Sequence, residues 1–165
     1  MAKPGIRESV LDNHLKHWKK VKKNSVTALY LSLLDHAKNR GGMKNFIGDI
    51  GSLSRMLFGF DPVKIVRKYP SWAHVFDEIL RRKIEVPGRM ERDNPRNSWV
   101  VYTKAIVSGA RFMSSFGNAE QFHKFVRSFY VNEHSRLALP LLLEKEIFGF
   151  GFALSCDFLK ENGYP

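Results

Sequence analysis

The sequence predicts an all-α, multi-helix globular domain, and three observations predict it. Apolar residues recur at helical spacing in segment after segment, whereas the strand-like pattern is confined to "WVVYT" at 99–103. Ser, Asn or Asp stands just ahead of most of those segments, where a helix N-cap is expected. The chain has 165 residues and is 44% hydrophobic, enough for one domain with its own core.

Taken in order, Val10, Leu11, Leu15, Trp18 and Val21 mark the apolar side of a first helix. Its other side carries Lys16, Lys19, Lys20, Lys22 and Lys23. Asn24 or Ser25 caps a second helix through "VTALYLSLLDHAKNR", ended by Gly41-Gly42. Shorter helical pieces are expected in "MKNFIGDI" and "SLSRMLF". "DPVKIVRKYP" reads as a cap, a proline at the first helical position and a closing Pro70. Ser71 opens "WAHVFDEILRRKI".

Residues 86–98, "VPGRMERDNPRNS", are irregular, with Pro87-Gly88 and Asn94-Pro95 as turn signals, and form a candidate hinge between two lobes. Asn97 or Ser98 then starts "WVVYTKAIVSGARFMSSF", whose helical flank outweighs its β-like beginning. Asn118 caps "AEQFHKFVRSFY", where Phe122, Phe125, Phe129 and Tyr130 are spaced as core residues. Ser135 starts "RLALPLLLEKEI", and a last helix runs from Phe152 to Glu161. The expectation is one domain over 1–165 with roughly eight to ten helices.

Composition narrows the function classes. One cysteine, Cys156, excludes an intrachain disulfide and points to a reducing compartment. The longest apolar-looking region, 137–159, is broken by Glu144, Lys145, Glu146 and Asp157, which excludes it as a membrane span. The polar N-terminus lacks a signal-peptide core, so a cytoplasmic or nucleoid-associated protein is expected. Residues 1–100 hold 20 basic and 10 acidic side chains, against 7 and 6 in the remainder, within a net charge of +11. A polyanion is the partner such an imbalance suits, and a solvated basic surface is the alternative.

The six histidines show no paired metal spacing; His14 and His17 are three apart but lack a third ligand. Cys156 reads as a packed small residue. Neither a nucleophile–base motif nor a phosphate-binding glycine loop of the nucleotidase kind is present. "KHWKKVKK" offers Lys19, Lys20 and Lys23 to a DNA backbone, with Trp18 anchoring the helix. Around the 86–98 turn, Arg81, Arg82, Lys83, Arg89, Arg92 and Arg96 could enter a groove with Met90 as wedge. A surface linker balanced by Glu85, Glu91 and Asp93 is the other reading of that loop.

The most specific stretch is "EIFGFGFALSCDFLKENGYP" at 146–165, in which Gly149-Phe150-Gly151 joins two apolar helices. Glycine permits torsions closed to other residues, so the chain can turn tightly there. The following helix offers unpaired N–H groups that suit a phosphate. Close packing of two helices is a second use for such glycines.

With Ile147, Gly149, Phe150, Gly151 and Ser155 in its key places, this stretch resembles the helix-hairpin-helix motif, here spanning about 136–162. From Phe122 onward the chain is similar to the DNA glycosylase superfamily that carries the motif. The resemblance implies a two-lobed helical fold and double-stranded DNA as partner. Main-chain amides of Gly151 and Leu154 would hold a phosphate, with Phe150 packed between the helices. A monovalent cation would sit on the carbonyls of Lys145, Ile147 and Phe150; no other cofactor is implied.

Catalysis does not carry over. Ala153 occupies the place of the family's Schiff-base lysine, and the family's aspartate would fall past Pro165, with Asp157 too early to replace it. The expectation is therefore a piece of a longer DNA N-glycosylase, or a binding derivative of that fold without catalytic residues. The alternative is a noncatalytic helical adaptor for RNA or an acidic protein.

Overall fold

Helices α1 (Val26–Lys38), α2 (Lys44–Ile47), α3 (Pro62–Lys68) and α4 (Trp72–Arg81) precede a long helix, α5 (Ser98–Ser114). Three more follow: α6 (Ala119–Ser128), α7 (Glu133–Glu146) and α8 (Phe152–Glu161). The computed structural model describes Asp12, Asn13, Lys16 and residues 22–164, and among these no strand occurs. The expected basic helix over 10–21 lies almost entirely outside the described residues.

Helix α5 is central. Between Trp99 and Val107 only Lys104 escapes burial, and a helix apolar on nearly every side belongs inside a bundle. Its β-like first residues are helical because Asn97 caps them, accepting the Trp99 N–H at 3.0 Å. Helix α1, capped by Ser25 Oγ on the Ala28 N–H at 3.1 Å, lies along α5. Buried hydroxyls join the two: Tyr30 donates to the Ile106 carbonyl at 2.7 Å and Tyr102 to the Leu34 carbonyl at 3.3 Å. Gly109 lets them approach, since a Cβ there would come within 2.8 Å of Leu33 Cδ2.

Helices α3 and α4 cover another side of α5. Asp61 caps α3 ahead of Pro62, accepting the N–H groups of Val63 and Lys64 at 3.0 and 3.2 Å. The helix expected in "SLSRMLF" is not formed. A 3₁₀ turn over Gly51–Leu53 leads into turns in which Phe58, Gly59 and Phe60 have φ of 53°, 65° and 63°. Leu53, Met56, Leu57 and Phe60 all reach the core by that route, so burial overrides local helix preference. The start of α7 also differs from expectation. Asn132 is its cap, and Ser135 is the third helical residue of a capping box rather than the opening residue.

One continuous core takes residues from before and after 86–98. That loop is tied down: Trp99 Nε1 donates to the Pro87 carbonyl and Asn97 Nδ2 to the Arg89 carbonyl, both at 2.8 Å. Val86 and Met90 pack on the core, so nothing in the packing of the described residues separates two lobes there, and Met90 is not a free wedge.

The C-terminal helices close over an aromatic cluster. The Phe122 ring meets Phe158 at 6.1 Å between centroids, and Phe158 meets Phe150 at 6.0 Å. Phe125, Phe129 and Tyr130 pack half-buried beside them, as their spacing predicts. His123 is buried and bridges three segments. Its Nε2 lies 2.8 Å from the Lys23 carbonyl and its Nδ1 lies 2.9 Å from the Tyr164 hydroxyl. A carbonyl can only accept, so Nε2 donates to Lys23.

Candidate nucleic-acid interface

The turn between α7 and α8 is set by one glycine rather than two. Helix α7 stops as Ile147 adopts an extended backbone, and the Phe150 N–H donates back to the Ile147 carbonyl at 3.1 Å. Gly149 has φ of +86°, a left-handed conformation that side chains disfavour. Gly151, with φ of −104° and ψ of 172°, is ordinary extended backbone. What Gly151 contributes is the absence of a side chain: a Cβ there would meet nothing within 4 Å. Phe150 is buried on Phe158, in the place between helices expected of it. The Phe148 N–H donates to Ser108 Oγ at 2.9 Å, which fastens the turn to α5.

Helix α8 begins without a side-chain cap. Ser25, Asp61, Asn97, Asn118 and Asn132 each close first-turn N–H groups of their own helices, whereas Gly151 cannot. The Ser155 N–H bonds the Gly151 carbonyl at 3.0 Å, which leaves Phe152, Ala153 and Leu154 with N–H groups that have no partner among the described residues. These sit at the positive end of the helix dipole. A hollow of about 470 Å³ opens here, with Arg40, Glu144, Phe148, Gly149, Gly151 and Leu154 among the residues that line it.

Arg40 opens the 3₁₀ turn Arg40–Gly42 that follows α1, far away in sequence. Its Nη1 would lie 3.3 Å from a Cβ on Gly149, and its Cζ lies 5.9 Å from the Phe148 ring centre. Lys104, on α5, places Nζ 4.9 Å from the same ring. Neither cation is within salt-bridge distance of a carboxylate among the described residues.

Of the sequence-predicted residues, Gly149, Phe150, Gly151 and Leu154 are brought together around this hollow. Lys19 and Lys20 lie outside the described residues. Lys23 is half-buried, its carbonyl engaged by His123. Arg89 pairs with Glu91 at 3.2 Å and Arg92 with Asp77 at 3.1 Å, so part of their charge is met by acids, and neither lines the hollow. Arg81 and Arg82 share Glu78, whose carboxyl their hydrogen bonds hold at about 2, against an ordinary 4.5. Lys145 is exposed, and the Ile147 carbonyl of the expected cation site already accepts the Phe150 N–H.

No His, Cys, Asp or Glu cluster suited to a metal occurs among the described residues. Burial pushes the Cys156 thiol above its ordinary value. No helix among the described residues is long and apolar enough to cross a membrane.

Sequence reasoning missed Arg40, Lys104 and Phe148. Phe148 stands beside the motif, and its 42% exposure distinguishes it from the buried Phe150. Arg40 and Lys104 carry no local signal, because only the packing of α1 and α5 brings them to the turn. No protein-family model, curated protein or solved structure matches the chain.

Proposed function

We propose that this protein binds duplex DNA through the α7–α8 hairpin, which clamps a backbone phosphate on the first turn of α8. The observation that carries the reading is the open, uncapped start of α8 at Gly151 with the cation Arg40 beside it. Three main-chain donors, a helix dipole and a guanidinium suit one anion, and main-chain donors do not distinguish bases. The grip is therefore on the backbone and independent of sequence. The chain's charge of +11 supports the same reading, since released counterions drive association with a polyanion. Relation to base-excision glycosylases rests on the motif resemblance; Ala153, on the first turn of α8, supplies no amine for covalent base release.

Binding of labelled duplex DNA at several salt concentrations tests the proposal, with Gly151→Ala as the variant. Gly151 already has extended backbone and open space, so alanine is accommodated while its methyl group intrudes on the phosphate position. The expected loss is about 1–2 kcal/mol, the scale of one charge-assisted hydrogen bond. Unchanged duplex affinity in a folded Gly151→Ala protein overturns the clamp.

A further inference from the structure

A second surface adjoins the hairpin, and it is built of aromatic rings and cations. Phe148, 42% exposed, projects from the turn between two hollows. On the side away from Gly151, a groove of about 320 Å³ is lined by Ser71, Trp72, Lys104, Val107, Arg111 and Phe148. Lys104 Nζ lies 5.2 Å from the Trp72 ring centre and 4.9 Å from that of Phe148, joining the two rings. Arg111 reaches across to the Pro70 carbonyl at 2.5 Å. Among the described residues neither Lys104 nor Arg111 is paired with a carboxylate, although Glu146 borders the adjacent hollow beside Arg111.

Lys104 lies over two ring faces and Arg40 over one, which is a weak attraction readily exchanged for a phosphate. A ring face so vacated can stack a nucleobase. Alternating rings and cations along one groove match the alternation of bases and phosphates in a single strand. A closed duplex cannot use the rings, because its bases are already stacked.

We infer that the Trp72–Lys104–Phe148 groove binds unpaired DNA nucleotides running on from the duplex held at the hairpin, so that the preferred ligand is a junction of double- and single-stranded DNA. A base stacks on Phe148, Lys104 and Arg111 take the adjoining phosphates, and Arg40 remains with the phosphate at Gly151. This inference rests on the hairpin reading only for the duplex portion of the ligand.

The experiment compares a blunt duplex, the same duplex with a short single-stranded tail, and the tail strand alone, by fluorescence anisotropy. Phe148→Ala, Phe148→Tyr and Lys104→Gln are tested beside the parent, with circular dichroism confirming their fold. The tailed duplex is expected to bind about tenfold more tightly than the blunt one, the scale of one stacked base. Phe148→Ala lowers tailed-duplex affinity about tenfold more than blunt-duplex affinity and so removes that advantage; Phe148→Tyr retains it; Lys104→Gln reduces it and flattens the salt dependence of tail binding. Equal affinity for blunt and tailed duplexes overturns the groove, as does an equal loss on both with Phe148→Ala. Failure of the hairpin reading looks different: the tail strand then binds in a Phe148-dependent way while the blunt duplex does not bind at all.

Discussion

Replacing Gly151 with aspartate should move stability and DNA binding in opposite directions. The backbone at Gly151, φ −104° and ψ 172°, lies in the same extended region as the caps Asn118 at −156° and 171° and Asn132 at −149° and 173°. A side chain is therefore tolerated without backbone strain, and a Cβ meets nothing within 4 Å. An aspartate can accept from first-turn N–H groups of α8, as Asp61 does from Val63 and Lys64 in α3. The cap and its interaction with the helix dipole are together worth about 1 kcal/mol. For a domain of this size that raises the melting temperature by roughly 2–4 °C. The same carboxylate occupies the place assigned to the phosphate and sets a negative charge beside Arg40. Loss of the site and repulsion should cost about 1–3 kcal/mol of duplex affinity. Thermal melts and anisotropy on one preparation measure both effects. A more stable Gly151→Asp protein with undiminished DNA binding would refute the assignment of α8 as the clamp. A less stable one would refute the cap reasoning itself.

Other outcomes follow from contacts away from the hairpin. Gly48 has φ of 64° and ψ of −145°, and a Cβ there would lie 2.7 Å from Pro87 Cγ. Gly48→Ala should therefore cost at least about 1–3 kcal/mol in denaturant unfolding, through backbone strain and a displaced 86–98 loop. Tyr164→Phe removes the hydroxyl partner of His123 Nδ1 and leaves a buried ring nitrogen unpaired, so it should destabilise by about 1–3 kcal/mol, read from the same unfolding curves. Glu78 is held at about 2 against 4.5 by hydrogen bonds from Arg81 and then Arg82, so its folded-state carboxyl is depressed. Its contribution is complete above the ordinary value and is lost as pH falls through that window toward 2. A Glu78→Gln protein should show a shallower loss of stability over that acid range than the parent; identical acid limbs would refute the linkage.

Much of the fold was legible because caps and apolar periodicity act locally. Asn97, Asn118, Asp61 and Ser25 each close the helix that follows them, and the Phe152–Glu161 boundaries of α8 emerged as expected. The errors arose where a local pattern competed with something farther away. Residues 54–60 carry helix-forming residues, yet the segment runs as successive turns, left-handed at 58–60, that bury Leu53, Met56, Leu57 and Phe60. Ser135 resembled a cap because it does take part in one, as the reciprocal partner of Asn132. In the 86–98 loop, turn residues suggested freedom, but Trp99 and Asn97 hold its carbonyls from the start of α5.

The candidate site divides along the same line. Gly149-Phe150-Gly151 is contiguous, so its turn and the buried position of Phe150 could be read directly. The charge and ring partners could not, because Arg40, Trp72, Lys104 and Arg111 come from α4, α5 and the turn after α1 and meet only after packing. The basic excess of the first hundred residues suggested a polyanion-binding face built from "KHWKKVKK" and the 86–98 loop. Arg89 and Arg92 are instead engaged by Glu91 and Asp77, while Arg40 and Lys104 lean on Phe148. An exposed ion pair is worth little and yields readily to phosphate, so pairing alone does not disqualify the loop arginines. Position decides: Arg40 lines the hollow at the unpartnered donors of α8, as the proposed clamp requires, whereas Arg89 and Arg92 lie outside it. Net charge therefore points to a class of partner, and the cations that the proposed clamp would use are those that the packing of α1, α4 and α5 brings beside the hairpin.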